Sequence, residues 1–369
     1  MTKDSITKHF STIEDPRINR QKKHNLSDIF FMVLCAVICG ADNWVMIEMF
    51  CKSKKEWFTK QLQLENGIPS HDTFGKVFAA IDIEGFSKCF TNWVNDLVDL
   101  SVGEVIAIDG KCLRRSIDKA SNKAAIHMVS AWACDNECVL GQVPVAEKSN
   151  EITAIPKLLK ILDLQNTTVT IDAMGCQRAI SEQIVSQGGD YLFSLKGNQG
   201  NLNDDVRTWF ESDLKNKAPY QHETIDGDHG RIETRTITST DNIDWLQKNH
   251  NWPHLKSIIS VKSTREIKEN ISEETRYFIS SLDANDIKKI AHTVRAHWGI
   301  ENKLHWVLDM AFDEDHSRAR EGNSAANLAV IRHLALNLLK AEKSTKVGIK
   351  TKRARAGWDE RYMLKVIEG

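Results

Sequence analysis

Glu104-Val105-Ile106-Ala107-Ile108-Asp109-Gly110 decides how the chain folds: a short β-branched, apolar run reads as a buried strand, and it stops at an aspartate followed by glycine. The same pattern returns at Thr168-Val169-Thr170-Ile171-Asp172. Strand-like runs at 125–133 and 139–145 and a helical stretch from about Glu151 to Leu162 lie between them. After Asp172 come a helix from Gln177 to Ser186 and a strand from Tyr191 to Leu195. The order is β-β-β-α-β-α-β, with the first three strands consecutive and so suited to an antiparallel meander.

That order is the one found in RNase H-like domains, and it predicts an α/β (α+β) multi-domain fold with a mixed sheet. Further strand runs at Arg231–Thr238, Lys256–Val261 and Thr275–Ser280 predict a β-rich insertion at about 215–282. One long helix is expected from about Asn285 to Leu308 and a second from about Ser324 to Lys340. Up to about residue 100 the apolar spacing is helical throughout, with start signals at Asn25-Leu26-Ser27-Asp28 and Ser70-His71-Asp72-Thr73. The expected division is 1–100 for an all-helical N-terminal domain, 101–340 for the α/β domain with its insertion, and 341–369 for a basic C-terminal tail.

With 41% hydrophobic and 27% charged residues in 369, the chain can bury a core of domain size. Forty-nine Lys and Arg against 50 Asp and Glu leave a net charge of -1, so a polyanionic partner would have to be met by local clusters. Such clusters occur at Arg17, Arg20, Lys22, Lys23 and His24, at Lys111, Arg114 and Arg115, and between residues 340 and 355. The longest apolar run, Ile29 to Cys39, is too short for a bilayer and reads as a buried helix. Met1 to Phe10 lack the pattern of a secretory signal, so a cytoplasmic protein with reduced core cysteines is expected. Cys134 and Cys138 form a close pair without the two further ligands a zinc site needs.

Chemistry is expected where the two strands end. A carboxylate at the end of a buried strand projects at the sheet edge, where hard divalent cations find oxygen ligands. Asp109 and Asp172 both occupy that position, on strands that the inferred order makes neighbours. A strand-end Asp followed by Gly is also an ordinary turn former, so the doubling matters more than either residue alone. A two-metal site needs a third acid. Glu301 in His297-Trp298-Gly299-Ile300-Glu301-Asn302 is a candidate, with Asp309 and Asp313-Glu314-Asp315 as rivals that spacing does not separate.

The sequence resembles DDE transposases of bacterial insertion sequences, specifically the H-repeat-associated group, over nearly its whole length. The resemblance runs through Ile13-Glu14-Asp15-Pro16-Arg17, Ala107-Ile108-Asp109-Gly110-Lys111 and Lys148-Ser149-Asn150-Glu151-Ile152. It continues in Asp172-Ala173-Met174-Gly175-Cys176-Gln177, Leu195-Lys196-Gly197-Asn198-Gln199 and His229-Gly230-Arg231-Ile232-Glu233-Thr234-Arg235. The last shared stretch is His297 to Asp309. The resemblance implies that Asp109, Asp172 and Glu301 form a DDE triad holding Mg2+, with Mn2+ as a substitute. It further implies phosphoryl transfer, in which water cuts the element's end and the released 3′-hydroxyl attacks target DNA. Inverted-repeat ends and target DNA are the implied partners, with a homodimer in the DNA complex. Related transposases carry a Tyr and an Arg before the Glu and a Lys after it, where this chain has Val294, His297 and Leu308.

For phosphate contact the candidates are Lys111, Arg114 and Arg115 after the first Asp, His229, Arg231 and Arg235 in the insertion, and His297. Each also has a plain reading as solvated turn or hairpin charge. Trp298 and Trp306, eight residues apart on one expected helix, read as core. A transposase-derived DNA-binding protein, an inactive remnant and a general metal-dependent nuclease are the alternative readings.

Overall fold

The computed structural model describes residues 8–18, 22–62, 64–98, 100–117, 124–146, 149–212, 218–228, 231–268 and 270–368. Residues 8–10 are helical, and among the described residues there follow α1 (Leu26–Ile38), α2 (Trp44–Ser53), α3 (Lys55–Gln61), α4 (His71–Ala80) and α5 (Ile83–Asn95). Then follow β1 (Val105–Leu113), β2 (Ile126–Ala133), β3 (Cys138–Pro144), α6 (Glu151–Leu159), β4 (Thr168–Ile171), α7 (Arg178–Ser186) and β5 (Asp190–Leu195). This is the expected β-β-β-α-β-α-β order. The chain continues through α8 (Gly200–Glu211), β6 (Tyr220–Asp228), β7 (Arg231–Thr240), α9 (Asp244–His250), β8 (Ser257–Ile267), β9 (Asn270–Ser280) and α10 (Ile287–Ala296). It closes with α11 (Trp306–Phe312), α12 (Ser324–Ala341), α13 (Ile349–Trp358) and α14 (Glu360–Glu368).

Two compact units result, and they cut across the expected linear division. One comprises Met1–Asp99, Gly110–Asn150 and Ile300–Gly369, the other Leu100–Asp109 and Glu151–Gly299. Strand β1 contributes to both, its residues up to Asp109 counting with the second unit.

In the first unit, α1 and α12 are buried almost all round, as Ile29–Ile38 and Ser324–Leu339 show, and they pack on each other. The helical reading of the N-terminal hundred residues holds among the described residues. Ser70 caps α4 through Thr73 N–H, and Asp82 caps α5 through Gly85 N–H at 2.7 Å. The β2–β3 hairpin is tied to α12 by Asn337, whose side chain accepts from Val139 N–H and donates to Val139 C=O, both at 2.9 Å. A buried amide thus completes backbone bonding that a helix face could not supply.

The segment expected as a basic tail folds into α13 and α14. Two of its charges, Lys352 and Arg353, are spent internally, while Lys343, Lys346, Lys350 and Arg355 stay exposed. Arg353 is buried, donating to Val37 C=O at 2.7 Å and to Asp42 at 2.6 Å, while Lys352 donates to Leu339 C=O at 2.9 Å. Local sequence shows only the lysines and arginines; the acceptors lie far away in the chain.

In the second unit the sheet order is β1-β4-β5-β9-β8-β7-β6. Strands β1, β4 and β5 are parallel, with Val105 opposite Thr168 and Ile108 opposite Ile171, and Ile171 opposite Phe193. All four residues of β4 are buried, as are Val105 to Ile108, the pattern of a parallel strand covered on both faces. The expected β-rich insertion is an extension of this same sheet, because β9 pairs antiparallel with β5. Helix α10 covers it, setting Ile290 into a core of Leu192, Ile237, Ile259, Val261 and Phe278.

The helix expected from Asn285 to Leu308 is irregular. Helix α10 ends at Ala296, a turn falls at His297, Trp298 and Gly299 are helical again, and a π-helical turn spans Ile300–His305 before α11 begins. Replacing Asp42 by alanine strips a buried guanidinium of its counter-ion and is expected to cost roughly 3–5 kcal/mol. Urea denaturation at neutral pH reads this as a lowered midpoint.

Candidate active site

The parallel register places the carboxylates. Ile108 and Ile171 are the last paired Cα partners of β1 and β4, so Asp109 and Asp172, the next residue on each, come at the same level; β4 ends there, but β1 does not stop at Asp109 as expected and runs on to Leu113. Both are partly exposed. Asp172 then caps a short 3-10 turn, its Oδ1 accepting from Met174 N–H at 3.0 Å and Gly175 N–H at 3.3 Å. Gly175 is required there, since a Cβ would come within 2.2 Å of Ile171 Cγ2.

Two side chains after β5 brace this loop. Asn198 Nδ2 donates to Ala173 C=O and Gln199 Nε2 to Cys176 C=O, each at 2.5 Å. Lys196, Asn198 and Gln199 read from sequence as a turn or a substrate contact; residues Gly197–Gln199 do form a short 3-10 turn, and the side-chain amides of Asn198 and Gln199 hold the backbone around Asp172. Two carboxylates at one level of a sheet edge are hard oxygen donors, and the donor set fits a divalent cation such as magnesium.

Glu301 lies in the first unit, on the π-helical turn. Its side chain is 54% exposed, and its Oε2 is 3.7 Å from Nδ1 of the buried His305. The rival acids are engaged differently. Lys111 binds Asp309 at 2.5 Å and Glu314 at 2.9 Å, and Arg114 binds Asp315 at 3.3 Å. Burial alone would push the Glu314 carboxyl up, but Lys111, Arg332 and His333 outweigh it and hold it at about 2. Burial also raises Asp309, against the pull of Lys111.

The phosphate-contact candidates separate. Lys111 is only 12% exposed and committed to acids, whereas Arg114 is 76% exposed and Arg115 is exposed too. In the second unit Arg235 is buried between Asp226 and Glu233, both at 2.5 Å, and Arg231 pairs with Glu233. His297 is half-buried at the end of α10. His229, like Arg20 and Lys148, lies outside the described residues.

The tryptophans expected in the core are exposed. Trp298 is capped by the Arg276 guanidinium 5.2 Å from its ring centre, and Trp306 is 60% exposed. The π-helical turn between them is what spacing could not reveal. All eight cysteines are free and six are buried, as a reduced core requires. No helix among the described residues is long and apolar enough to cross a membrane.

Comparison with known proteins gives the family. A family model described as "Transposase DDE domain" matches residues 100–338, and one described as "DDE_Tnp_1-associated" matches residues 7–94. The chain belongs to the DDE transposase family. It is 44% identical over 372 residues to "Putative transposase YncI" of Escherichia coli O157:H7, covering 100% of this chain and 95% of that protein. It is also 41% identical over 370 residues to "H repeat-associated putative transposase YhhI" of Escherichia coli K12, covering 99% and 98% respectively. A shorter match, 39% identical over 72 residues, is to "Inactive transposase YbfQ" of the same strain, covering 20% of this chain and 86% of that one.

His333, behind Glu314, gives a stability signature. Burial holds its imidazole down at about 4, against an ordinary 6.5. Between those values the unfolded chain takes up a proton that the fold refuses, so stability falls as pH drops through this window. His333→Gln is expected to flatten the dependence of the unfolding midpoint on pH between about 4 and 6.5.

Proposed function

We propose that this transposase cuts DNA at the inverted-repeat ends of an insertion-sequence element and joins them to target DNA. The observation that carries the reading is the in-register pair Asp109 and Asp172, each the residue after the last parallel pairing of β1 with β4. Glu301 joins them by its place in the family motif. Magnesium, or manganese in its place, bound by Asp109, Asp172 and Glu301 would supply Lewis-acid activation of the attacking oxygen and neutralise charge on the leaving one.

The chain's own part is positioning and charge. The Asp172 carboxylate is oriented by two backbone N–H groups and by the loop that Asn198 and Gln199 brace. Arg114 and Arg115, exposed on the first unit, would meet a phosphate backbone, with Arg231 and His297 as contacts from the second and His229 by its place in the motif; Arg235 would first have to leave Asp226 and Glu233. Lys111 would have to leave Asp309 and Glu314 to do so. Two ends must be joined in one event, which a homodimer on DNA provides, and we place the reaction in the cytoplasm.

A strand-transfer assay on the DNA ends flanking the gene, with and without magnesium, separates the readings. Joined products are expected. Nicking without joining would point to a general nuclease, and a shifted but uncut duplex to a DNA-binding derivative or an inactive remnant. Asp172→Asn should lower metal-dependent cleavage by about a thousandfold or more while DNA binding persists; cleavage at the wild-type rate would sink the assignment.

A further inference from the structure

Lys111 lies two residues beyond Asp109 on β1, yet its ammonium does not face solvent. It donates to Asp309 Oδ1 at 2.5 Å, to Glu314 Oε2 at 2.9 Å and, at the limit of a hydrogen bond, to His305 C=O at 3.5 Å. Glu314 is itself buried, and its other oxygen is 3.5 Å from the buried guanidinium of Arg332. Desolvating these charges is costly, so such a network is weak evidence for stability alone, and its placement carries more information.

The three acceptors surround one short segment. His305 ends the π-helical turn that carries Glu301, Asp309 is on the helix that follows at once, and Glu314 is in the next turn. A π turn is a rare widening of the helix that neighbouring contacts must support. One buried ammonium therefore fastens residues 305–314 to the strand segment that begins at Gly110.

We propose that Lys111, with Asp309 and Glu314 as its counter-ions, is a positioning residue that fixes the turn bearing Glu301. This rests on the reading of Glu301 as a member of the carboxylate triad. It differs from phosphate contact in what it predicts: loss of the clamp loosens the turn and weakens metal use, and leaves affinity for DNA alone.

Asp309→Asn in the full chain tests it, because Asp309 is the less buried partner and the Glu314–Lys111–Arg332 contacts remain. Hydrogen exchange at residues 300–308 should accelerate about tenfold, with α12 unchanged. The Mn2+ concentration giving half-maximal end cleavage should rise about tenfold, with the rate recovered at excess Mn2+ and DNA affinity unaltered. Asp309→Glu, which keeps the carboxylate, should restore both. Unchanged exchange at 300–308 overturns the proposal. Weakened DNA binding with unchanged exchange makes Lys111 a phosphate contact, and cleavage lost beyond recovery by Mn2+ with unchanged exchange makes Asp309 a metal ligand; either result also overturns it. If the wild-type protein neither cleaves nor takes up Mn2+, the triad reading fails, while the exchange comparison still decides whether Lys111 holds the turn.

Discussion

The backbone ladder between β1 and β4 is the constraint on which the candidate site depends. Its register, Ile108 against Ile171, brings two residues 63 positions apart to the same edge of one sheet. Side chains alternate along a strand, so a slip of one residue would turn one aspartate to the opposite face. The register is held by burial: the apolar residues of both strands are covered, and α10 seals the extended part of the sheet. The bonds from Asn198 and Gln199 to the loop after Asp172 belong to the same design, since a carboxylate is only as well placed as the backbone that bears it.

Charge is the second organising theme. A net charge of -1 gives no sign of a nucleic-acid enzyme, and the basic clusters along the chain seemed to hold the positive charge such an enzyme needs. The fold divides those clusters. Lys111, Lys340, Lys352 and Arg353 are turned inward to Asp309, Glu137, Glu342 and Asp42, whereas Arg114 and Arg115 stay at the surface. A buried cation must find an anion, and for Lys111, Lys340 and Arg353 the anion comes from a remote part of the chain.

Much of the architecture was legible beforehand because it follows from local pattern. Thr168–Ile171 is a strand with the expected bounds, and Ile29 to Ile38 is the buried helix its composition demands. Strand β6 was harder: Tyr220–Asp228 has little apolar alternation and is a strand because nine of its residues pair with β7. The two helices after residue 348 were hidden by their lysines and arginines, and the π-helical turn at Ile300–His305 by an otherwise helical spacing on both sides. Trp298 and Trp306, which regular helical spacing puts on the core side, flank that turn and are exposed.

By itself, then, the sequence determined the types and order of the elements, the two aspartates that follow buried apolar runs, and membership of the transposase family. Those follow from properties carried by neighbouring residues: periodicity, β-branching, caps and motifs. Tertiary structure alone decided the register that levels Asp109 with Asp172, the π turn under Glu301 and which cations are spent inside. Each of these depends on contacts between residues far apart in the chain, where pairing geometry and the cost of burying an unpaired charge, not local preference, select the outcome.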